Sequence, residues 1–342
     1  MGSPAGVQAI RSIHDEKGTV QIFPLERNRL RIVLEPVNPD LYTLSRSCDT
    51  SLPADIIESL AEELEFAWLC DHIARLEDPA YVSEILRRQL FAYFGPEQFA
   101  GKRLMDFGCG IGASSIIMAE CLPKTEVVGV ELDASRVAIA RRLAQFKGIR
   151  NVRFEVSPTS DALPPGIGTF DFVMLSAVYE HLLPQERRTL MPLLWSHLVK
   201  EGVIFINQTP FRWSPHEHHS TGLWFINYLP ASIAMRLARR FSVVCRETNR
   251  DLDWNGLLRH GIRGGTERDM LRNLCYGSAT KGQILQPTRN GLRDRADYWL
   301  SCTNRHRRRL LKKSIAGVFR VLDRTLNIIP TPNVDVVIRK AG

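Results

Sequence analysis

Between Lys102 and Ile206 short apolar runs alternate with turns and amphipathic stretches. The pattern predicts strands at Arg103–Phe107, Glu126–Glu131, Val152–Val156, Phe170–Leu175 and Gly202–Asn207, with helices over Ala113–Cys121, Ala134–Lys147 and Gln185–Val199. Strand and helix in regular alternation build a parallel sheet with crossover helices, so a doubly wound α/β core is expected. Two later apolar runs, Phe241–Cys245 and Val334–Ile338, also read as strands. Almost ninety residues separate them, far more than a hairpin connection, which makes residues 246–333 an insertion. Upstream, Ile56, Leu60, Leu64 and Ala67, then Ile85, Leu86, Leu90 and Phe94, recur at helical spacing and predict helices that cover the site's entrance or one sheet edge. Val20–Phe23 and Leu30–Leu34 can pair as short strands before Pro36, Pro39 and Pro53 interrupt the pattern. The expected division is an extension and helical cover over 1–100, a sheet domain over 101–245 plus 334–342, and an inserted lid or docking segment over 246–333.

Composition narrows the class. With 44% hydrophobic and 24% charged residues, the 342-residue chain is excluded from the disordered, collagenous and coiled-coil classes. No run reaches the roughly 18 uncharged apolar residues of a membrane span; the closest, Leu223–Met235, is interrupted by Asn227, Pro230 and Ser232. The first residues lack the apolar run of a secretory signal, and Gly6 stands where a myristoylation signal places Ser or Thr. The seven cysteines (Cys48, Cys70, Cys109, Cys121, Cys245, Cys275 and Cys302) are odd in number and form no C-x-x-C pair, so a cytoplasmic location is expected, with peripheral membrane contact on the inner face as an extension of it.

The net charge of +8 is unevenly spread, residues 246–333 holding 18 Lys/Arg against 8 Asp/Glu and leaving 27 against 29 elsewhere. Such asymmetry points to an anionic partner, which could be phosphate, a phospholipid surface or nucleic acid, with a solvated face as the alternative. Within this segment Arg305–Leu326 carries an apolar stripe with a cationic flank, fitting either an anionic membrane or the chain's own core.

The main chemical signal is Arg103-Leu-Met-Asp106-Phe-Gly108-Cys-Gly110-Ile-Gly112, an apolar strand running into glycines that open a helix. Such a turn lets backbone N–H groups approach a ligand closely. Ala113 could complete a dinucleotide-binding G-x-G-x-x-G/A fingerprint, so a dehydrogenase competes. Asp106 argues against it, because a carboxylate there opposes a pyrophosphate and attracts an ammonium or sulfonium group. The next strand ends at Glu131-Leu132-Asp133, placing an acid where it can accept both hydroxyls of a ribose. Ser160-Asp161-Ala162-Leu163-Pro164 and then Phe170-Asp171-Phe-Val-Met-Leu-Ser-Ala-Val-Tyr-Glu180-His181-Leu follow.

In order and spacing these blocks resemble the class I S-adenosylmethionine-dependent methyltransferases, over about residues 100–245 and the terminal strand. The resemblance implies a Rossmann-like seven-stranded sheet in the order 3-2-1-4-5-7-6 with the last strand antiparallel, Phe241–Cys245 and Val334–Ile338 serving as strands six and seven. It implies S-adenosylmethionine as cofactor. Gly108, Gly110 and Gly112 would bend around the methionine portion, and Asp106 would position the loop and the amino group. Glu131 would hold the ribose diol, Leu132 would flank the adenine, Asp161 would accept from its amino group, and Ala162 would donate a backbone N–H. The departure from the family is the long insertion between strands six and seven.

Methyl transfer from a sulfonium needs alignment and, for a hydroxyl acceptor, a base. Three histidines, His216, His218 and His219, lie beside Glu217 in the loop after the fifth strand, at the carboxyl edge of the sheet, and are the candidate bases. His218 and His219 lead. A metal is not expected, since adjacent histidines point apart in an extended segment and no carboxylate cluster follows at ligand spacing. His181, Arg212, Trp213 and Arg263 are candidate substrate contacts, Arg263 lying in a glycine- and arginine-rich stretch suited to an anion. No [Asn/Asp]-Pro-Pro-aromatic block follows the fourth strand, which sets DNA base methylation aside. RNA ranks low, because stacking aromatics in the basic segment are few (Trp254, Tyr276, Tyr298 and Trp299). The expected function is methylation, on oxygen, of a small-molecule, glycan-type or lipid-linked acceptor. The alternatives are an RNA or protein methyltransferase, and a non-catalytic cofactor-binding subunit that docks an anionic partner.

Overall fold

The computed structural model describes residues 7–38, 45–78, 84–242, 253–302 and 309–341. A small antiparallel sheet opens the chain, with β1 (Arg11–His14), β2 (Gly18–Pro24), β3 (Leu30–Pro36) and β4 (Ser47–Thr50) paired in sequence order. The two short strands expected near residues 20 and 30 are β2 and β3. Helices α1 (Ala54–Glu63), α2 (Leu69–Glu77) and α3 (Glu84–Phe91) follow.

The main sheet is then laid down by β5 (Arg103–Phe107), α4 (Ala113–Cys121), β6 (Glu126–Glu131), α5 (Ala134–Phe146), β7 (Val152–Val156), β8 (Phe170–Ser176), α6 (Pro184–His197) and β9 (Leu198–Pro210). Beyond it come α7 (Ala231–Phe241), α8 (Trp254–Arg259), α9 (Glu267–Leu274), β10 (Gly282–Ile284), α10 (Arg295–Cys302), α11 (Arg309–Leu326) and β11 (Asn333–Lys340). The seven-strand order is β10-β11-β9-β8-β5-β6-β7, with β11 antiparallel to both neighbours, as the family pattern requires.

Strand six differs from the expectation. Phe241 ends α7 instead of starting a strand, and residues 243–245 lie outside the described residues. The edge position is filled by β10, so the connection between strands six and seven runs over 285–332 and not over the whole of 246–333. Arg305, Arg307 and Arg308 also lie outside the described residues.

Along the central strands successive side chains alternate between faces. Met105, Val173, Leu175, Ile204 and Ile206 pack with Leu190, Leu194 and Trp195 of α6 and with Met270 and Leu274 of α9. Leu104, Phe172, Met174 and Phe205 point the other way, onto Leu86 and Leu90 of α3, Phe94, Phe99 and Met118 of α4. The N-terminal sheet with α1 and α2 packs on α4, α5 and Phe154, so the predicted cover lies over a face and beside Cys109 and Ile111 of the glycine turn. Part of the basic segment is built into the core. Arg295 is buried between Glu267 and Asp323, and Arg320 pairs with Asp294 and Asp297. Several of the segment's cations therefore hold its helices together. Among the described residues no helix is long and apolar enough to cross a membrane.

Candidate active site

The glycine turn sits at the carboxyl end of β5, and Gly108, Gly110 and Gly112 all have left-handed backbone angles (φ of 75°, 56° and 80°). Their reasons differ. A Cβ on Gly108 would come within 2.6 Å of the Val178 side chain, and one on Gly112 within 2.8 Å of Ala140 and Phe154, so these two glycines let the turn press against its neighbours. A Cβ on Gly110 would meet nothing within 4 Å, so open space lies beside that residue.

Asp106 is 2% exposed and accepts the hydroxyls of Ser114 (2.7 Å) and Ser115 (2.6 Å) from the first turn of α4. It ties the turn to the helix that follows. Burial pushes its carboxyl up to about 6, against the pull of the two serines. The protonated form is thus favoured by the fold, and the stability this adds is complete below the ordinary pKa of 3.8 and lost as pH rises through about 6. Binding an ammonium needs the ionised form. The affinity for S-adenosylhomocysteine should therefore be flat above pH 7 and weaken toward tenfold per pH unit below about 6. Calorimetry across pH 5 to 8, roughly the span over which this group titrates, checks it, and a Kd that ignores pH would remove Asp106 from the ligand's ammonium.

Glu131, at the end of β6, accepts the Gly110 N–H at 2.8 Å through one oxygen and those of Leu132 (2.8 Å) and Asp133 (3.2 Å) through the other. Its carboxylate braces the glycine turn from the neighbouring strand. Glu131→Ala should weaken cofactor binding by about 1.5–3 kcal/mol for each charged hydrogen bond lost. Because Gly110 is also released, proteolysis of the turn should speed up, an effect that a purely ligand-facing carboxylate would not produce. Leu132 is half exposed. Asp161 accepts from Thr159 Oγ1 at 2.9 Å. The Ala162 N–H turns back toward the Thr159 carbonyl at 3.4 Å, a long bond that leaves it available to a better acceptor. These groups fit S-adenosylmethionine: an open glycine turn, an acid on the neighbouring strand, an exposed apolar side chain and a carboxylate–amide pair.

The residues expected on the acceptor side lie mainly in the segments that follow β8 and β9, adjacent parallel strands. Of the three candidate bases only His219 joins a polar cluster, its ring lying 5.5 Å from that of His181. The His216 ring lies tilted against Trp224, 4.7 Å between centres, and His218 is exposed. Glu217 is not a base. It is 3% exposed and accepts the N–H groups of His219, Ser220 and Thr221 and the hydroxyls of Ser220 and Thr221. Burial opposes its charge, but the bonds from Thr221 and Ser220 outweigh that and hold the carboxyl below its ordinary range. This carboxylate folds the loop that carries His219.

Glu180 was not among the expected site residues, although it stands in the same E-H-L stretch as His181. It is fully buried, accepts the Thr209 hydroxyl at 3.1 Å through Oε2, and its Oε1 has no hydrogen-bond partner among the described residues. Burial pushes its carboxyl up to about 7. His181 Nδ1 donates to the Arg259 carbonyl at 2.6 Å, so its lone pair is on Nε2, which lies 3.8 Å from Glu180 Oε1. Burial lowers the pKa of His181; that of the more exposed His219 is lowered by partial desolvation and then by the neighbouring His181.

Arg212 and Arg263 converge on the carbonyl of Asn227, and Arg263 also donates to Leu229. Arg212 lies 4.5 Å from the centre of the half-exposed Trp213 ring, and burial, then the Arg263 charge, pulls its pKa to about 10. Among the described residues neither guanidinium makes an ion pair with a carboxylate.

The β5–α4 glycine turn, the acidic end of β6 and the sheet order together define a class I S-adenosylmethionine-dependent methyltransferase domain. The chain matches, over residues 104–202, the family described as a methyltransferase domain. It is 36% identical over 99 residues to the demethylmenaquinone methyltransferase of Thermus thermophilus, covering 27% of this chain and 44% of that protein. A ubiquinone biosynthesis O-methyltransferase of Acinetobacter baumannii is 29% identical over 85 residues, 24% of this chain and 34% of the relative. Among solved structures, PKMT2 from Rickettsia typhi in complex with AdoHcy superposes with a TM-score of 0.43 at 14% identity, over 78% of this chain and 53% of that one. The chain spans less than half the length of these curated relatives.

Proposed function

We propose that this chain transfers the methyl group of S-adenosylmethionine to a hydroxyl oxygen of a small-molecule acceptor, of glycan-type or lipid-linked chemistry, that carries an anionic group. One observation carries the reading: the glycine turn and the Glu180–His181–His219 cluster are neighbours, Gly108 lying against Val178, two residues before Glu180. When bound, the cofactor supplies a methyl group on a cationic sulfur; the acceptor oxygen forms the new C–O bond as the C–S bond breaks, its electron pair staying on sulfur, and the hydroxyl proton leaves on the acceptor side. Asp106 and Glu131 hold the turn in shape, Glu217 fixes the backbone of His219, and the cluster receives the acceptor proton. Arg212 and Arg263, charged and without a carboxylate partner among the described residues, suit an anionic substituent, while exposed Trp213, Trp224 and Phe225 offer flat apolar surface nearby. The lipid-linked option is supported by α11, where Leu311, Val318 and Val321 are exposed on a helix that also carries Lys312, Lys313 and Arg324.

A cell extract separated into metabolites, RNA and protein, then incubated with the chain and methyl-labelled S-adenosylmethionine, tests the acceptor class. Label should appear in the metabolite or lipid fraction as an alkali-stable methyl ether. Label confined to RNA or protein would overturn it, and S-adenosylhomocysteine binding without label anywhere would favour a non-catalytic subunit.

A further inference from the structure

The unpartnered Glu180 oxygen is an anomaly, since a buried carboxylate oxygen without a donor costs free energy. Facing it are two imidazoles from different parts of the chain. Ligand atoms of Glu180, His181 and His219 all lie within 4.8 Å of one another, the one such group of three among the described residues. We propose that Glu180, His181 and His219 form a binding site for a divalent transition-metal ion, such as zinc or manganese, at the acceptor end of the active site.

Three features of the surroundings support it. The Arg259 carbonyl takes the Nδ1 proton of His181, which fixes the tautomer and leaves Nε2 as a donor, the outer-sphere arrangement that orients metal-binding histidines. Thr209 orients Glu180 from its other oxygen in the same way. The neighbouring cations are directed elsewhere, Arg259 to Glu186 and Arg187 to backbone carbonyls and the face of Tyr179. Bonds of about 2.0–2.2 Å would draw the ligand atoms closer than they are now, and His219, exposed on its loop, is the ligand with room to move.

Two imidazoles and one carboxylate favour zinc- or manganese-type ions over magnesium or calcium, which prefer oxygen ligands. Three protein ligands leave a coordination position open toward solvent, where an acceptor hydroxyl could bind and become more acidic; with the metal bound these side chains are ligands and not bases, and the hydroxyl proton leaves to solvent. The sequence argument against a metal considered the adjacent His218 and His219 as a pair. The partners of His219 come instead from the segment after β8, in the neighbouring loop.

This inference rests on reading the cluster as the acceptor end of the site, so its test avoids turnover. Tag-free full-length chain, stripped with a chelator, is titrated calorimetrically with zinc ion alone, without cofactor or acceptor, and S-adenosylhomocysteine affinity is measured on the same samples. Wild type should bind one zinc equivalent. H181A and H219A should each weaken zinc by at least about tenfold, E180Q likewise, and H218A should match wild type. Zinc binding no tighter in wild type than in the H181A/H219A double variant, or lost equally in H218A, would overturn the site. Should E180Q fail to fold, the exposed His219 still decides. Zinc binding without S-adenosylhomocysteine binding would refute the cofactor reading and leave the metal site standing.

Discussion

Replacing His219 by alanine should lower methyl transfer by about 10²–10⁴-fold, the range for loss of a group that handles a proton in the transition state. Affinity for S-adenosylhomocysteine should stay within about twofold, because the groups proposed to hold the cofactor lie on the turns after β5, β6 and β7, and their hydrogen bonds among the described residues do not involve the 217–221 loop. H216A and H218A should keep most of the activity, since one ring packs against Trp224 and neither belongs to the group formed by Glu180, His181 and His219. Glu217→Ala should imitate H219A in part. Its five hydrogen bonds shape the loop, and a displacement of about 1 Å at a reacting group can cost roughly 10²-fold. Full activity in H219A would place the acceptor elsewhere.

The second large effect concerns stability. Arg295, 3% exposed, donates to Asp323 through Nε (3.1 Å) and to Glu267 through Nη1 (3.2 Å), and the second oxygen of Glu267 has no partner among the described residues. Arg295→Ala leaves two buried carboxylates facing one another. Breaking such a pair costs about 3–5 kcal/mol. The loss should be seen as a fall in the urea midpoint, and neutralising the acids as well, in R295A/E267Q/D323N, should recover much of it. A change below about 1 kcal/mol would mean that the pair behaves like a surface ion pair. It would also show that α9, α10 and α11 are not held as a unit.

The centre of the fold was legible because its parallel strands are covered on both faces and therefore read as nearly continuous apolar runs. The first, second and third strands of the main sheet have the predicted limits, and the helices after them differ by at most a residue or two at their ends. Strand six was not legible. Gly282–Ile284 is a three-residue edge strand with no fully buried side chain, too short for an alternation to register, whereas Phe241, where the expected strand would begin, is the last residue of an amphipathic helix.

In the site, the glycine turn and Glu131 were readable from position along strands, but the distinct duties of Gly108, Gly110 and Gly112 depend on Val178, Ala140 and Phe154. The roles of Glu217 and Glu180 were hidden for different reasons. Glu217 acts through the folded shape of its own loop, which no spacing encodes. Glu180 and His219 meet because the strands before them are parallel neighbours, a relation that the predicted sheet order already contained.

The central claim, that the turn between β5 and α4 is an S-adenosylmethionine cradle and not a dinucleotide site, is tested most directly by titrating the full-length chain with S-adenosylhomocysteine and, in parallel, with NAD. One equivalent of S-adenosylhomocysteine should bind, more weakly in Glu131→Ala, with no measurable heat from NAD. NAD binding of comparable strength with none for S-adenosylhomocysteine would contradict it.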